Sequence, residues 1–254
     1  MRSRVLVLLS VLCLGLLAGC VAAPYRADPQ FPVRSRAIRT VAMVPPDVKV
    51  YSLGAGGTRE LMDEWSETAR KNMIAAIARQ SVAGVGFALK EFDPAGSPQA
   101  KAELEDVRPL FEAVTLSAVA HTYGQTNQFE TKKERFEYSL GPLPALAEAS
   151  QADALLFVYA MDHISTGGRV ALNVLMVILG AAARTAIVPA GGATIVFTAL
   201  VDQKSGDLLW FDVRGSRGAH DLREPTSVEG LVADAFADYK EAAASGTSPG
   251  KDSR

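Results

Sequence analysis

Two rhythms of apolar residues run along this chain. An apolar side chain at every third or fourth position marks residues 58–79 (Met62, Trp65, Ala69, Met73, Ala76, Ile77) as an amphipathic helix. Glu67 and Lys71 form an i,i+4 pair on its wet side. Leu104, Val107, Leu110, Phe111 and Val114 mark a second helix, which Pro109 is expected to kink or restart. Strict alternation at Val85, Phe87 and Leu89 predicts a short strand, and Phe136, Tyr138 and Leu140 alternate briefly. Residues 40–44 (TVAMV) form an apolar run stopped by Pro45-Pro46, and Val48, Val50 and Ser52 resume it past the break. Residues 154–161 (ALLFVYAM) read as a central strand buried on both faces. Residues 193–202 and 208–214 are two further strands, joined by a turn containing Gly206 into an antiparallel hairpin. Pro144 opens a short helix through Ala149. A closing helix is expected to start at Thr226, where Thr226 and Glu229 have capping-box spacing. Its buried stripe is Val228, Leu231, Val232, Ala235, Phe236 and Tyr239. Residues 54–57 are a glycine-rich link, and residues 121–134 are polar and loop-like. The predicted fold class is α/β: a three-layer domain with a mixed β-sheet, an antiparallel hairpin in the C-terminal half and a closing C-terminal helix.

The front of the chain follows a different pattern. Arg2 and Arg4 precede an apolar stretch, residues 5–17, broken only by Ser10 and Gly15. A helix needs about 20 residues to span a bilayer, so this stretch is too short and fits a cleaved secretory leader. It ends in Leu17-Ala18-Gly19-Cys20, which resembles the lipobox of bacterial lipoproteins. The resemblance implies cleavage between Gly19 and Cys20. It also implies a diacylglyceryl group on the Cys20 sulfur and acylation, palmitate included, that anchors the chain in the lipid bilayer. Val21 in place of Asp implies the outer membrane with the body facing the periplasm. In a Gram-positive cell the same box implies the outer face of the cell membrane. Cys13 leaves with the leader, so Cys20 is the only cysteine of the mature chain and no disulfide is expected. The expected organisation is a signal peptide (1–19), an acylated cysteine and extended tether (20–39), a single periplasmic α/β domain (40–243) and a disordered tail (244–254). The tether reading rests on Pro24, Pro29 and Pro32 and on the lack of any period around them.

Composition narrows the function classes. The chain has 254 residues, 48% hydrophobic and 21% charged, which excludes a disordered protein and allows one large domain. A formal net charge of −2 gives no basic excess, so no nucleic-acid partner is expected. Mean hydropathy is +0.13. The leader accounts for most of that excess, leaving one local surplus, residues 170–183 (VALNVLMVILGAAA). This segment is read either as a buried helix or as an exposed apolar element that docks on a membrane or a second subunit.

Three stretches together resemble a family of periplasmic lipoprotein domains. The family includes the curli-secretion lipoprotein, the penicillin-binding-protein activator lipoproteins and the N-terminal domain of TolB. The first stretch is Arg39-Thr40-Val41-Ala42-Met43-Val44-Pro45, a strand followed by a helix. The second runs from Leu146 through Ala152-Asp153-Ala154 to Phe157, a helix entering a central strand. The third runs from Ala199 to Trp210, with Asp202, Ser205-Gly206 and Leu209-Trp210 at fixed offsets. The last pattern is also the blade motif of quinoprotein-type propellers, which repeat it in every blade; here it occurs once. The lipobox joined to a domain with no recognisable catalytic set gives the expectation of a non-enzymatic accessory that binds or scaffolds an envelope protein. An alternative, implied by the family resemblance, is an oligomeric component, a homo-oligomer, of an envelope secretion or assembly system.

Candidate chemistry is sparse. The three histidines are His121, His163 and His220, and no zinc-protease, Cys/His zinc or nucleophile-elbow spacing accompanies them. No catalytic residue, metal site or cofactor is therefore expected. The loop after the central strand leaves the carboxyl end of that strand, where open α/β sheets form ligand crevices. Asp162, His163 and Arg169 are its candidate ligand residues. The polar segment 215–225 (GSRGAHDLREP) offers Arg217, Asp221, Arg223 and Glu224 either as a partner surface or as a salt-bridge net that pins the loop. A rival reading is an envelope hydrolase with a site near His163 or His220.

Overall fold

The computed structural model describes residues 24–53, 58–82, 84–123, 129–165 and 192–245. The leader, Gly19 and Cys20, the link 54–57, Arg169, the segment 170–183 and residues 246–254 lie outside the described residues.

The elements, in chain order, begin with β1 (Tyr25–Ala27), α1 (Phe31–Arg34), β2 (Thr40–Met43), β3 (Asp47–Leu53) and β4 (Arg59–Leu61). Next come α2 (Asp63–Val82), β5 (Ala88–Glu91), α3 (Pro98–Ala118), α4 (Glu130–Glu134) and α5 (Pro144–Ser150). The chain closes with β6 (Ala154–Ser165), β7 (Ala193–Asp202), β8 (Leu208–Arg217) and α6 (Pro225–Ser245). The eight strands form one mixed sheet in the order β1-β8-β7-β6-β2-β5, with β3 also beside β6 and β4 on β3. β2 and β3 run parallel to β6, whereas β6, β7, β8 and β1 are successively antiparallel.

Helices cover both faces, so the domain has the three layers its alternating pattern predicts. Leu156, Val158 and Ala160 of β6 face a core shared with Met73 and Ile77 of α2 and Val228, Phe236 and Tyr239 of α6. Their neighbours Leu155, Phe157, Tyr159 and Met161 face the other core, with Leu104, Val107 and Phe111 of α3 and Leu146 of α5. The continuous apolar run of β6 thus serves two cores at once. Tyr239 is the hub of the first core. Its ring meets Phe31, Phe87 and Trp210 edge-on at 5.5, 5.4 and 5.4 Å.

The split between β2 and β3 comes from Pro45-Pro46. Neither proline has an N–H to give to the ladder. Met43 pairs with Leu156 and Asp47 with Tyr159, so three residues on this strand stand opposite two on β6. The prolines are absorbed in a bulge, and the strand resumes along the same neighbour.

Several expectations are corrected. Residues 24–39 are not an extended tether. Tyr25–Ala27 pairs antiparallel with Asp212–Trp210 of β8, and Phe31 is fully buried. The folded body therefore starts well before residue 40. The first long helix starts at Asp63, not at residue 58, because Arg59–Leu61 pairs with β3 and Met62 donates its N–H to the Val50 carbonyl. The strand expected at residues 85–89 starts only at Ala88. Gly86 has φ +102°, which breaks extended backbone just ahead of it, while Val85 and Phe87 are buried outside the ladder. The helix α3 runs through Pro109 without restarting. The polar stretch 121–134 contains a π-type turn (Val119–Tyr123) and α4. The closing helix begins at Pro225, and the Ser227 and Val228 N–H groups bond to the Glu224 carbonyl. Glu229 does not close a box with Thr226; its carboxylate pairs with Arg79 of α2 at 2.6 Å.

Candidate functional site

β6 carries Asp162 and His163 to the end of the sheet, where their side chains leave on opposite faces. Asp162 is 1% exposed. Its Oδ2 accepts from the Leu222 N–H at 2.9 Å, and its Oδ1 lies 2.9 Å from the Thr194 hydroxyl. That hydroxyl is also 3.1 Å from the His220 carbonyl. Burial pushes the Asp162 carboxyl above the ordinary range, and these hydrogen bonds offset it only in part. Asp162 thus reaches across the sheet to the 218–224 loop, which is held by further bonds. The Asn72 side chain donates to the Leu222 and Arg223 carbonyls, at 3.2 and 2.7 Å. Asp221 accepts from Arg223 through both carboxylate oxygens, and the hydrogen bond from the guanidinium holds it below the usual carboxylate range. The Arg223 guanidinium lies 4.4 Å over the Trp65 ring. Ser227 accepts from the Asp221 N–H at 3.0 Å and meets His220 Nδ1 at 3.3 Å.

Asp162, Asp221, Arg223 and the backbone of His220 therefore converge, as the loop reading expects, but on one another. Among the described residues this loop is pinned mainly by backbone, Asn72 and Ser227 bonds, and of the expected salt-bridge net it shows the Arg223–Asp221 pair. The residue missed was Ser227. Its hydroxyl is the staple at this end of α6, one position past the capping residue that spacing alone points to. Arg217 ends β8; its side chain lies outside what is described, as does all of Arg169.

His163 sits apart from that network. It is 7% exposed and stacks on Tyr51 with ring centroids 5.1 Å apart. The Arg59 guanidinium lies 4.7 Å over the other ring of this stack, Tyr51. Among the described residues no side chain bonds to either imidazole nitrogen. Burial, reinforced by the Arg59 charge, pushes its pKa below 6.5, so the ring is held neutral. His121 meets Phe129 edge-on at 4.8 Å. Among the described residues no group of three or more His, Cys, Asp or Glu side chains could hold a metal ion.

The stretch from Asp202 to Trp210 turns out to be a fold device. Asp202 Oδ1 accepts from the Lys204 and Ser205 N–H groups at 2.9 and 3.0 Å, which closes the hairpin turn. Gly206 has φ +74°, and its α-carbon lies so close to Gly141 that a Cβ would stand 1.8 Å from the Gly141 oxygen. Arg34 of α1 clamps the turn from outside, reaching Asp202 at 3.0 Å and Asp207 at 3.1 Å. Trp210 is fully buried against α6. Asp153, in the second quoted stretch, accepts from the Arg39 and Thr40 N–H groups and the Thr40 hydroxyl. These bonds hold it below the usual carboxylate range and fix the register of β2 on β6.

Two other features concentrate charge. A cleft of about 370 Å³ is lined by Asp28, Gln30, Arg34, Glu137, Tyr138, Ser139 and Asp207. On β8, the fully buried Asp212 accepts from Arg214 Nε at 2.9 Å, and Arg214 also pairs with Asp238 of α6. Asp212 Oδ2 has no hydrogen-bond partner. Burial pushes this carboxyl up to about 6, against the pull of Arg214.

No family profile matches this sequence, and no curated protein does. Among solved structures, the chain is similar to a PelC dodecamer from Paraburkholderia phytofirmans at 10% identity. That match covers 86% of this chain and 91% of the other, with a TM-score of 0.32. It is also similar to lipoprotein GNA1162 from Neisseria meningitidis at 14% identity, over 82% of this chain and 99% of the other, with a TM-score of 0.30. At these scores the shared geometry is too small for a role to pass from either protein to this one.

Proposed function

We propose that this chain is a cell-envelope lipoprotein, anchored through acylated Cys20 in the outer membrane and facing the periplasm. There it acts as a non-enzymatic accessory that binds or scaffolds another envelope protein. The observation that carries the anchoring is the sequence Leu17-Ala18-Gly19-Cys20, placed directly after a basic start and a short apolar run. Two or more acyl chains give stable attachment where one gives only marginal binding. The accessory role is supported by how the candidate side chains are employed. Asp162 bonds to the Leu222 N–H and the Thr194 hydroxyl, and Asp221 and Arg223 bond to each other. His220 Nδ1 meets the Ser227 hydroxyl at 3.3 Å, but among the described residues no carboxylate bonds to the ring to orient it as a base. His163 is buried against Tyr51, and among the described residues no acidic or hydroxyl side chain bonds to its ring. A hydrolytic base needs a nucleophile or water within hydrogen-bonding distance and an orienting group behind it. The anchoring is tested by Cys20→Ala in intact cells, followed by fractionation and acyl-chain labelling. The variant is expected in the soluble fraction and unlabelled. Unchanged membrane fractionation overturns the reading.

A further inference from the structure

The position of Pro24, the first described residue, limits how the domain can stand relative to Cys20. The Pro24 carbonyl is held twice, by the Tyr123 hydroxyl at 3.0 Å and by the Val213 N–H at 3.0 Å. Only Val21, Ala22 and Ala23 separate Pro24 from Cys20. Four Cα steps reach at most about 14 Å, even fully extended. Headgroup layers are about 5–7 Å thick on each side of the hydrocarbon, so Pro24 cannot lie much more than one such layer above the membrane surface.

That short reach selects one side of the domain. β1 is an end strand of the sheet order, and β5 is the strand at the opposite end, five spacings away. At about 4.8 Å per spacing, β5 is about 24 Å from β1, so the linker keeps the β1 side near the lipid while β5 can stand well clear of it. The turn that holds Pro24 through Tyr123 also carries His121, and His121 packs edge-on against Phe129. Phe129 is 53% exposed, whereas Phe31, Phe111, Phe136, Phe157, Phe197, Phe211 and Phe236 are buried. An exposed aromatic ring within reach of a lipid anchor has a natural environment at the headgroup boundary, where its apolar face leaves water. At the far end, β5 ends in Lys90 and Glu91, which favour water.

We propose that the domain rests on the lipid surface by its β1 side, with Phe129 in the headgroup layer and the β5 edge directed away from the membrane. The proposal rests on acylation of Cys20.

The test uses the full-length acylated protein in vesicles of phosphatidylethanolamine and phosphatidylglycerol that carry a headgroup spin label. Thr131→Cys, on α4 beside Phe129, and Glu91→Cys, on β5, are each labelled with a fluorophore. The Cys20 sulfur is acylated, so only the introduced thiol reacts. The expected result is loss of fluorescence at position 131 and none at position 91. Equal quenching at both, or stronger quenching at 91, overturns the orientation while mass measurement of an acylated N-terminal peptide leaves the anchoring intact. Efficient crosslinking of two copies through position 131, without quenching, means that a second copy covers this face and also overturns it. An unacylated Cys20 removes the anchoring, and the orientation with it.

Discussion

Asp212→Asn isolates the cost of a buried charge. Asp212 has no exposed side-chain surface, one hydrogen bond from Arg214 and one unpartnered oxygen. Burial raises its pKa from 3.8 to about 6 in the folded protein. Between these two values the native state binds the proton more tightly than the unfolded chain does. The group's contribution to stability is therefore fully present below pH 3.8 and is lost as pH rises through 6. Lowering the pH from 8 to 5 protonates Asp212 in the native state while leaving it ionised in the unfolded one. One pH unit below a pKa of 6 corresponds to about 1.4 kcal/mol of stability gained by the wild type from this group. The asparagine variant has no such proton to gain. Urea unfolding of both proteins at pH 5, 6, 7 and 8 is expected to give a stability difference, variant minus wild type, that becomes less favourable by that amount from pH 8 to pH 5. Titrating groups remote from Asp212, His163 among them, cancel in the difference because they are present in both proteins. Parallel pH profiles for the two proteins would refute the reasoning and place Asp212 in an environment that solvates its charge.

His163→Phe is expected to change acid sensitivity in the opposite sense. The buried imidazole has its pKa lowered by burial and by Arg59, so stability falls as pH drops through the unfolded value of 6.5. The phenylalanine keeps the stack on Tyr51 and removes that loss, which thermal melts at pH 5 and pH 8 would reveal as a narrower spread of Tm. Gly206→Ala forces a side chain onto a φ of +74° and against the Gly141 oxygen. It is expected to cost more than about 1 kcal/mol and to lower Tm by several degrees. An unchanged Tm would mean that the 203–207 turn is not held against Gly141 in solution.

Much of the architecture is legible in local pattern. The run in β6 is apolar at every position because both faces are covered, and the stripe from Val228 to Tyr239 repeats at helical spacing because one face of α6 is. The hairpin turn announces itself through Asp202 and Gly206, since their roles are local. Elements made by pairing are not visible in this way. Tyr25-Arg26-Ala27 has a charged residue at its centre and prolines around it, and it becomes a strand because β8 offers an edge. Arg59–Leu61 lies inside a helical period and is drawn out of it by β3. Ser227, one position from the expected cap, acts through a loop folded back on it, and spacing alone does not reveal that fold-back.

By itself the sequence determined the alternation of helices and strands and the two-faced burial of the central strand, and it carries the Leu17–Cys20 pattern on which the anchoring proposal rests. These are properties of neighbours in the chain, where side-chain period follows directly from backbone geometry. Only the tertiary structure decided that the N-terminal segment belongs to the sheet and that Arg34 clamps a turn 173 residues away at Asp207. It alone showed that Asp162 spends its charge on a loop 60 residues further on. Such contacts depend on which segments are brought together when the cores close, and burial, rather than residue type, then settles whether a carboxylate is a ligand or a staple.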